Sequence, residues 1–297
     1  MKMIRPLTIV DSMVSSSISE PDTGETVWVS GTTYAIGDIR IRTSTHRKYS
    51  RVTAGGGTTP PESDPTNWTD IGPTNKWAVF DQVVGTVSSA TSSISYTLTP
   101  GVTIDSLAVL GVTGGVLTVT MTNAGSTVYS QTVNMGDSAT LLDWYMWLVE
   151  PIAQRTDVVF LDLPPYVAGV ITITLTGTGT QSIGALVLGT QFFVGATQYG
   201  ASIGIIDYSY KSTDAFGNTV VTKRPYSKRY TAKVLVQSAY TDMVANMLAA
   251  YRSTPVVWCG VDNLFTSMIV YGFIKDWTEE ITYPTYSFCN IQIEGLT

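Results

Sequence analysis

The sequence predicts an all-β chain with one or two short helices, and three observations carry that prediction. Thr occupies 44 of the 297 positions, beside 16 Tyr, and β-branched and aromatic side chains suit a pleated, half-buried surface. Charged residues are only 13% against 44% hydrophobic, with a mean hydropathy of +0.16. That balance excludes extended disorder, which needs low hydrophobicity and high charge. Period-two alternation recurs, as in Leu117, Val119 and Met121 between Thr118, Thr120 and Thr122, and again over 171–176. The length fits two or three domains.

Residues 1–27 read as an N-terminal arm, because Ser15-Ser16-Ser17 and Glu20-Pro21-Asp22-Thr23-Gly24 are loop chemistry. Residues 28–73 form a small aromatic unit of three strands with a Gly/Pro-rich stretch from Gly55 to Pro65. Residues 74–194 are strands from Trp77 onward, with a turn at Asn123-Ala124-Gly125-Ser126. Leu141, Trp144, Tyr145 and Leu148 instead fit one helical face that Pro151 stops, predicting a short buried helix or a wide loop. In 195–297, Ile203 to Val236 reads as a long hairpin with its tip at Asp214–Asn218. Ser238 to Arg252 is the best helix, with Met243, Met247 and Tyr251 on one face, Asp242 in the first turn and Pro255 just past the end. Strands at 256–260, 267–276 and 286–294 follow, the last with Cys289, Ile291 and Ile293 facing one way.

Catalytic chemistry is sparse. One histidine, His46, excludes a multi-histidine metal site, and two cysteines, Cys259 and Cys289, exclude a four-cysteine zinc site or a disulfide scaffold. Both cysteines lie in apolar runs and read as buried thiols of a chain made in a reducing compartment. No metal and no cofactor is expected. Gly200-Ala201-Ser202-Ile203-Gly204 matches a nucleophile elbow, but strand pattern follows it and the histidine lies upstream. Phosphate-cradling and dinucleotide-binding glycine motifs are absent. Glu279 and Glu280 are adjacent, so on a strand they point to opposite faces. Nothing favours a glycosidase built from distant acids such as Asp81, Asp105 or Asp143. The chain therefore reads as non-enzymatic, with no catalytic residues.

The first residues lack the apolar stretch of a signal peptide before Asp11. Residues 163–206 are uncharged but interrupted throughout by Thr, Gly, Gln and Ser, so no membrane segment is expected. Net charge is −6, which argues against specific nucleic-acid binding. The charge is uneven. Residues 52–210 carry eleven acids against Lys76 and Arg155, whereas 211–233 carry six bases against Asp214. Such a basic run suits an acidic surface, including that of a neighbouring copy.

The aromatic unit has a recognisable spacing: Trp28, five residues, Tyr34, two residues, Gly37-Asp38, then Tyr49, then Pro65-Thr66-Asn67-Trp68. So small a unit cannot close a large core, so some rings are structural and any left exposed offer stacking faces. The spacing resembles the small chitin-binding-type carbohydrate-binding module found beside chitinases and in phage proteins. The resemblance implies structural roles for Tyr34, Gly37 and Asp38, and sugar stacking by Tyr49 and Trp68, with host cell-surface glycan as the ligand.

Arg5-Pro6-Leu7-Thr8, the junction Gly72–Asp81, and the ending Ile293-Glu294-Gly295-Leu296 are similar to bacteriophage virion proteins of the tail tip. By that resemblance 74–194 is a galactose-binding-like jelly-roll β-sandwich, and 195–297 is a tail-tube or distal-tail-like β-domain whose hairpins meet in a ring. It implies a homo-oligomeric ring, a hexamer, with other phage tail proteins (tube, hub, fibres) as partners. The protein would be made in the host bacterial cytoplasm and reside in the virion. Candidate interface residues are Tyr208, Tyr210, Lys211, Phe216, Val220, Arg224, Lys228 and Arg229 on or beside the hairpin. The alternative is a receptor-binding virion protein that grips cell-surface glycan.

Overall fold

In a computed structural model the chain is 51% β-strand; all residues are described except 84, 137–142, 150–153, 215, 262–265 and 297. The opening segment contains β1 (Lys2–Pro6) and β2 (Val14–Ser16). The small unit follows as β3 (Thr33–Tyr34), β4 (Ile39–Arg42), β5 (Arg47–Arg51), β6 (Gly55–Gly56) and β7 (Trp68–Pro73). The order β4-β5-β7 makes its three-stranded sheet, and β3 pairs with β6 beside it. Gly37 turns with a φ of +87°, and the Asp38 carboxylate accepts the Ala35 N–H at 2.9 Å.

The middle of the chain contributes β8 (Ser88–Leu98), β9 (Ser106–Leu110), β10 (Val116–Asn123), β11 (Ser126–Asn134), helix α1 (Trp144–Val149), β12 (Val158–Phe160), β13 (Val170–Ile183) and β14 (Ala185–Phe193). A five-stranded sheet runs β11-β10-β13-β8-β2. Its alternating Leu117, Val119, Met121, Ile171, Ile173 and Leu175 are buried against Leu107, Val109, Leu186 and Leu188 of β9 and β14. Period-two patterning thus becomes a two-sheet sandwich, with the Thr residues of β10 and β13 on the other face.

The last third contains β15 (Ala196–Thr197), β16 (Ser202–Asp207), β17 (Tyr210–Thr213), β18 (Thr219–Thr222), β19 (Tyr226–Gln237), helix α2 (Thr241–Ala250), β20 (Val256–Cys259), β21 (Ile269–Glu280) and β22 (Tyr286–Gly295). β17 and β18 pair only with each other, and the remaining strands do not form a sheet of their own. A ten-stranded sheet runs β12-β9-β14-β1-β20-β21-β22-β19-β15, with β16 also on β19. β1 joins the two parts, pairing antiparallel with β14 on one side and β20 on the other. The segment read as an arm therefore supplies an interior strand. Met3 and Ile4 are fully buried on its two faces, and the Met1 ammonium donates to the Gly195 carbonyl at 2.6 Å. An ion pair between Lys228 of β19 and Asp157, just before β12, links regions near the two ends of the strand order, so the sheet curls on itself around Ile4, Ala108, Val187, Val257 and Tyr271.

Two expected helical faces differ. α2 buries Val244 and Leu248 against β19, β20 and β22, while Met243 is exposed; Met247 and Tyr251 only flank the contact. The α1 face expected to be buried is open, since Trp144 is 78% exposed and Tyr145 and Leu148 are also exposed; Leu141 and Pro151 lie outside the described residues. No helix among the described residues is long and apolar enough to cross a membrane.

Candidate assembly interface

The hairpin expected over 203–236 is present. β16 pairs with β19 from Ser202↔Thr231 to Asp207↔Tyr226, and β17 with β18 from Tyr210↔Thr222 to Thr213↔Thr219. Its tip is held locally. The Asp214 carboxylate accepts the Phe216 and Asn218 N–H groups at 2.9 and 2.8 Å and the Asn218 amide at 2.9 Å. Gly217 takes the left-handed φ of +85° that the turn needs. The bonds from Asn218 and the neighbouring N–H groups hold the Asp214 carboxyl below its ordinary range.

Every described residue from Tyr210 to Tyr226 is exposed. Cross-strand pairing puts Tyr210, Ser212, Val220 and Thr222 on one face and Lys211, Thr213, Thr219 and Val221 on the other. Apolar side chains thus lie on both faces, with Phe216 91% exposed at the tip. Arg224 sits over the Tyr210 ring at 5.8 Å. Of the expected interface residues, Tyr208, Tyr210, Lys211, Phe216, Val220, Arg224 and Arg229 are exposed. Lys228 is not available, because it is half-buried and paired with Asp157. The sequence reading did not single out Ile205 and Tyr226, both more than half exposed; their position just inside the hairpin's alternating strands was the available signal.

The small unit has the opposite character. Tyr49 and Trp68, expected to stack on sugar, are 6% and 3% exposed, and with Trp28 and Tyr34 they form a four-ring core. Tyr34 packs edge-on to Trp68 at 5.2 Å, the Arg51 guanidinium covers Trp68 at 5.0 Å, and the Tyr49 hydroxyl meets Thr45 Oγ1 at 3.2 Å. No other Phe, Tyr or Trp lies in 28–73, so the unit presents no open ring for stacking. The Tyr34 hydroxyl bonds the Val29 N–H and carbonyl at 2.8 and 3.0 Å, a structural role.

His46 belongs to the joint between the small unit and the sandwich. Its ring stacks on Trp77 at 4.1 Å, and Nδ1 lies 2.8 Å from the buried Glu20 carboxylate. That carboxylate also accepts Thr74 Oγ1 at 2.8 Å and Trp77 Nε1 at 3.1 Å. A cleft of about 360 Å³ opens beside it, lined by Pro6, Arg47, Phe80, Asp81 and Tyr271 among others. Ser202 begins strand β16 rather than a helix. Both cysteines are buried, and burial pushes the Cys289 thiol up to about 12. The chain matches no known protein family, and no curated protein matches it in sequence.

Proposed function

We propose that the protein is a structural component of a bacteriophage tail tip, a distal-tail ring or baseplate subunit that assembles with copies of itself and supports the adsorption apparatus. The β16–β19 hairpin carries this reading. It leaves the curled sheet with Tyr, Phe and Val side chains exposed on both faces, and unpaired strand edges with apolar faces recruit another chain. The ring, a hexamer by resemblance, and the tube, hub and fibre partners belong to the same reading. The small unit acts in it as a spacer held to the sandwich through Glu20, His46 and Trp77. The receptor-binding alternative needs an aromatic platform, and Tyr49 and Trp68 are buried.

Native mass measurement and negative-stain imaging of the purified chain at micromolar concentration test the proposal. The expected result is a discrete closed ring. A strict monomer at both low and high salt sinks it, and binding to a glycan array would favour the receptor reading.

A further inference from the structure

The two ends of one strand ladder carry opposite charge. β19 and β22 run together from Arg229↔Glu294 to Gln237↔Tyr286, eight residue steps or roughly 26 Å. Beyond the Arg229 end stands the hairpin, with exposed Lys211, Lys223 and Arg224. Among the described residues, Lys211, Arg224 and Arg229 have no ion-pair partner, and Lys223 lies near Asp207.

Beyond the Gln237 end, Asp242 in the first turn of α2 lies close to Glu279, and Glu280 ends β21. Ile281 and Tyr283 project from the turn that follows, 79% and 48% exposed. Lys233 answers this acidity locally, pairing with Glu280 at 3.5 Å. Glu279 is half-buried on the face of β21 opposite Glu280, and its Oε1 has no hydrogen-bond partner. Burial, then the Asp242 charge, pushes the Glu279 carboxyl above its usual range.

We infer, on the basis of the ring reading above, that the hairpin of one copy docks on this acidic end of the next copy. Its cations then face the exposed Asp242 and Glu280, and its apolar side chains cover Ile281 and Tyr283. The occupant is a second copy because both halves of the complementary pair, in charge and in apolar character, are on this chain. The two patches are different surfaces at opposite ends of the ladder, so the contact is heterologous and repeats head to tail.

Two charge-reversed variants of the full chain test this: Lys211→Glu with Arg224→Glu on the hairpin, and Asp242→Lys with Glu280→Lys on the acidic end. All four sites are exposed, and circular dichroism verifies that each variant keeps its fold. Each variant alone should associate about tenfold or more weakly than the parent at low salt, because like charges then face each other. An equimolar mixture should regain assembly, since every hairpin again finds an end of opposite sign, and so should the chain carrying all four changes. If the parent forms a ring and the acidic-end variant assembles just as well, the docking is wrong and the ring reading stands. If both variants fail and their mixture does not recover, the pairing is wrong. Recovery only as closed dimers overturns the head-to-tail geometry, and a monomeric parent overturns both readings.

Discussion

Trp68 shows how a single ring holds the small unit. It is nearly fully buried, with Tyr34 packed against it and Arg51 over its face. Trp68→Ala should cost about 3–5 kcal/mol of that unit's stability, the usual range for a buried Trp, while ring assembly persists. Near-ultraviolet dichroism during urea unfolding, beside native mass measurement, reads both. Buried acids set the alkaline limit. Burial raises Cys289 from 9.0 to about 12, and Tyr96 and Tyr271 from 10.0 to about 12. Unfolded, these groups release protons near their ordinary values; folded, they keep them to about 12. Their contribution is complete at neutral pH and is lost as pH rises from about 9 toward 12, so the urea midpoint should fall across that window. The aromatic spacing was legible in the sequence. The inward direction of all four rings was not, because it depends on how three short strands close over one another.

At the scale of elements, α2 separates pattern from packing. Met243, Met247 and Tyr251 form a stripe in the sequence, yet Val244 and Leu248 meet the sheet, a rotation of about 100° per residue along the helix. The curl of β19–β22 chooses the neighbouring stripe, and the long Met243 side chain is left exposed. Leu248→Ala should therefore cost about 2–5 kcal/mol, whereas Met243→Ala should stay within about 0.5 kcal/mol, as denaturant titration would measure. Between strands, Gly189 lies opposite Pro6, and a Cβ there would sit 1.8 Å from the Arg5 carbonyl oxygen. Backbone cannot yield as a side-chain end can, so Gly189→Ala should lower the melting temperature markedly by forcing β14 from β1.

At the scale of the molecule, β1 holds the sandwich strands and the C-terminal strands in one sheet, through backbone pairing on both its edges. Deleting residues 1–6 should expose β14 and β20 together. Hydrogen exchange should then rise in both Ala185–Phe193 and Val256–Cys259. If protection stays unchanged at β20, β1 is dispensable to the joint.

Composition and alternation by themselves determined the β class, the hairpin with its Asp214–Asn218 tip, and the inward set Cys289, Ile291 and Ile293, because a period-two pattern states which residues share a face. Three matters were settled only by the tertiary structure. Lys2–Pro6 looked like part of an arm, since five residues beside loop chemistry carry too little pattern to announce a strand whose partners lie about 190 and 250 residues away in the chain. Trp144, Tyr145 and Leu148 read as core, but hydrophobicity gives no address, and α1 leaves them outside. Lys228 read as a surface cation until the curl of the sheet brought Asp157 to it. Local pattern reports the face of each element; which faces meet is decided by pairings between distant segments, and no single segment encodes them.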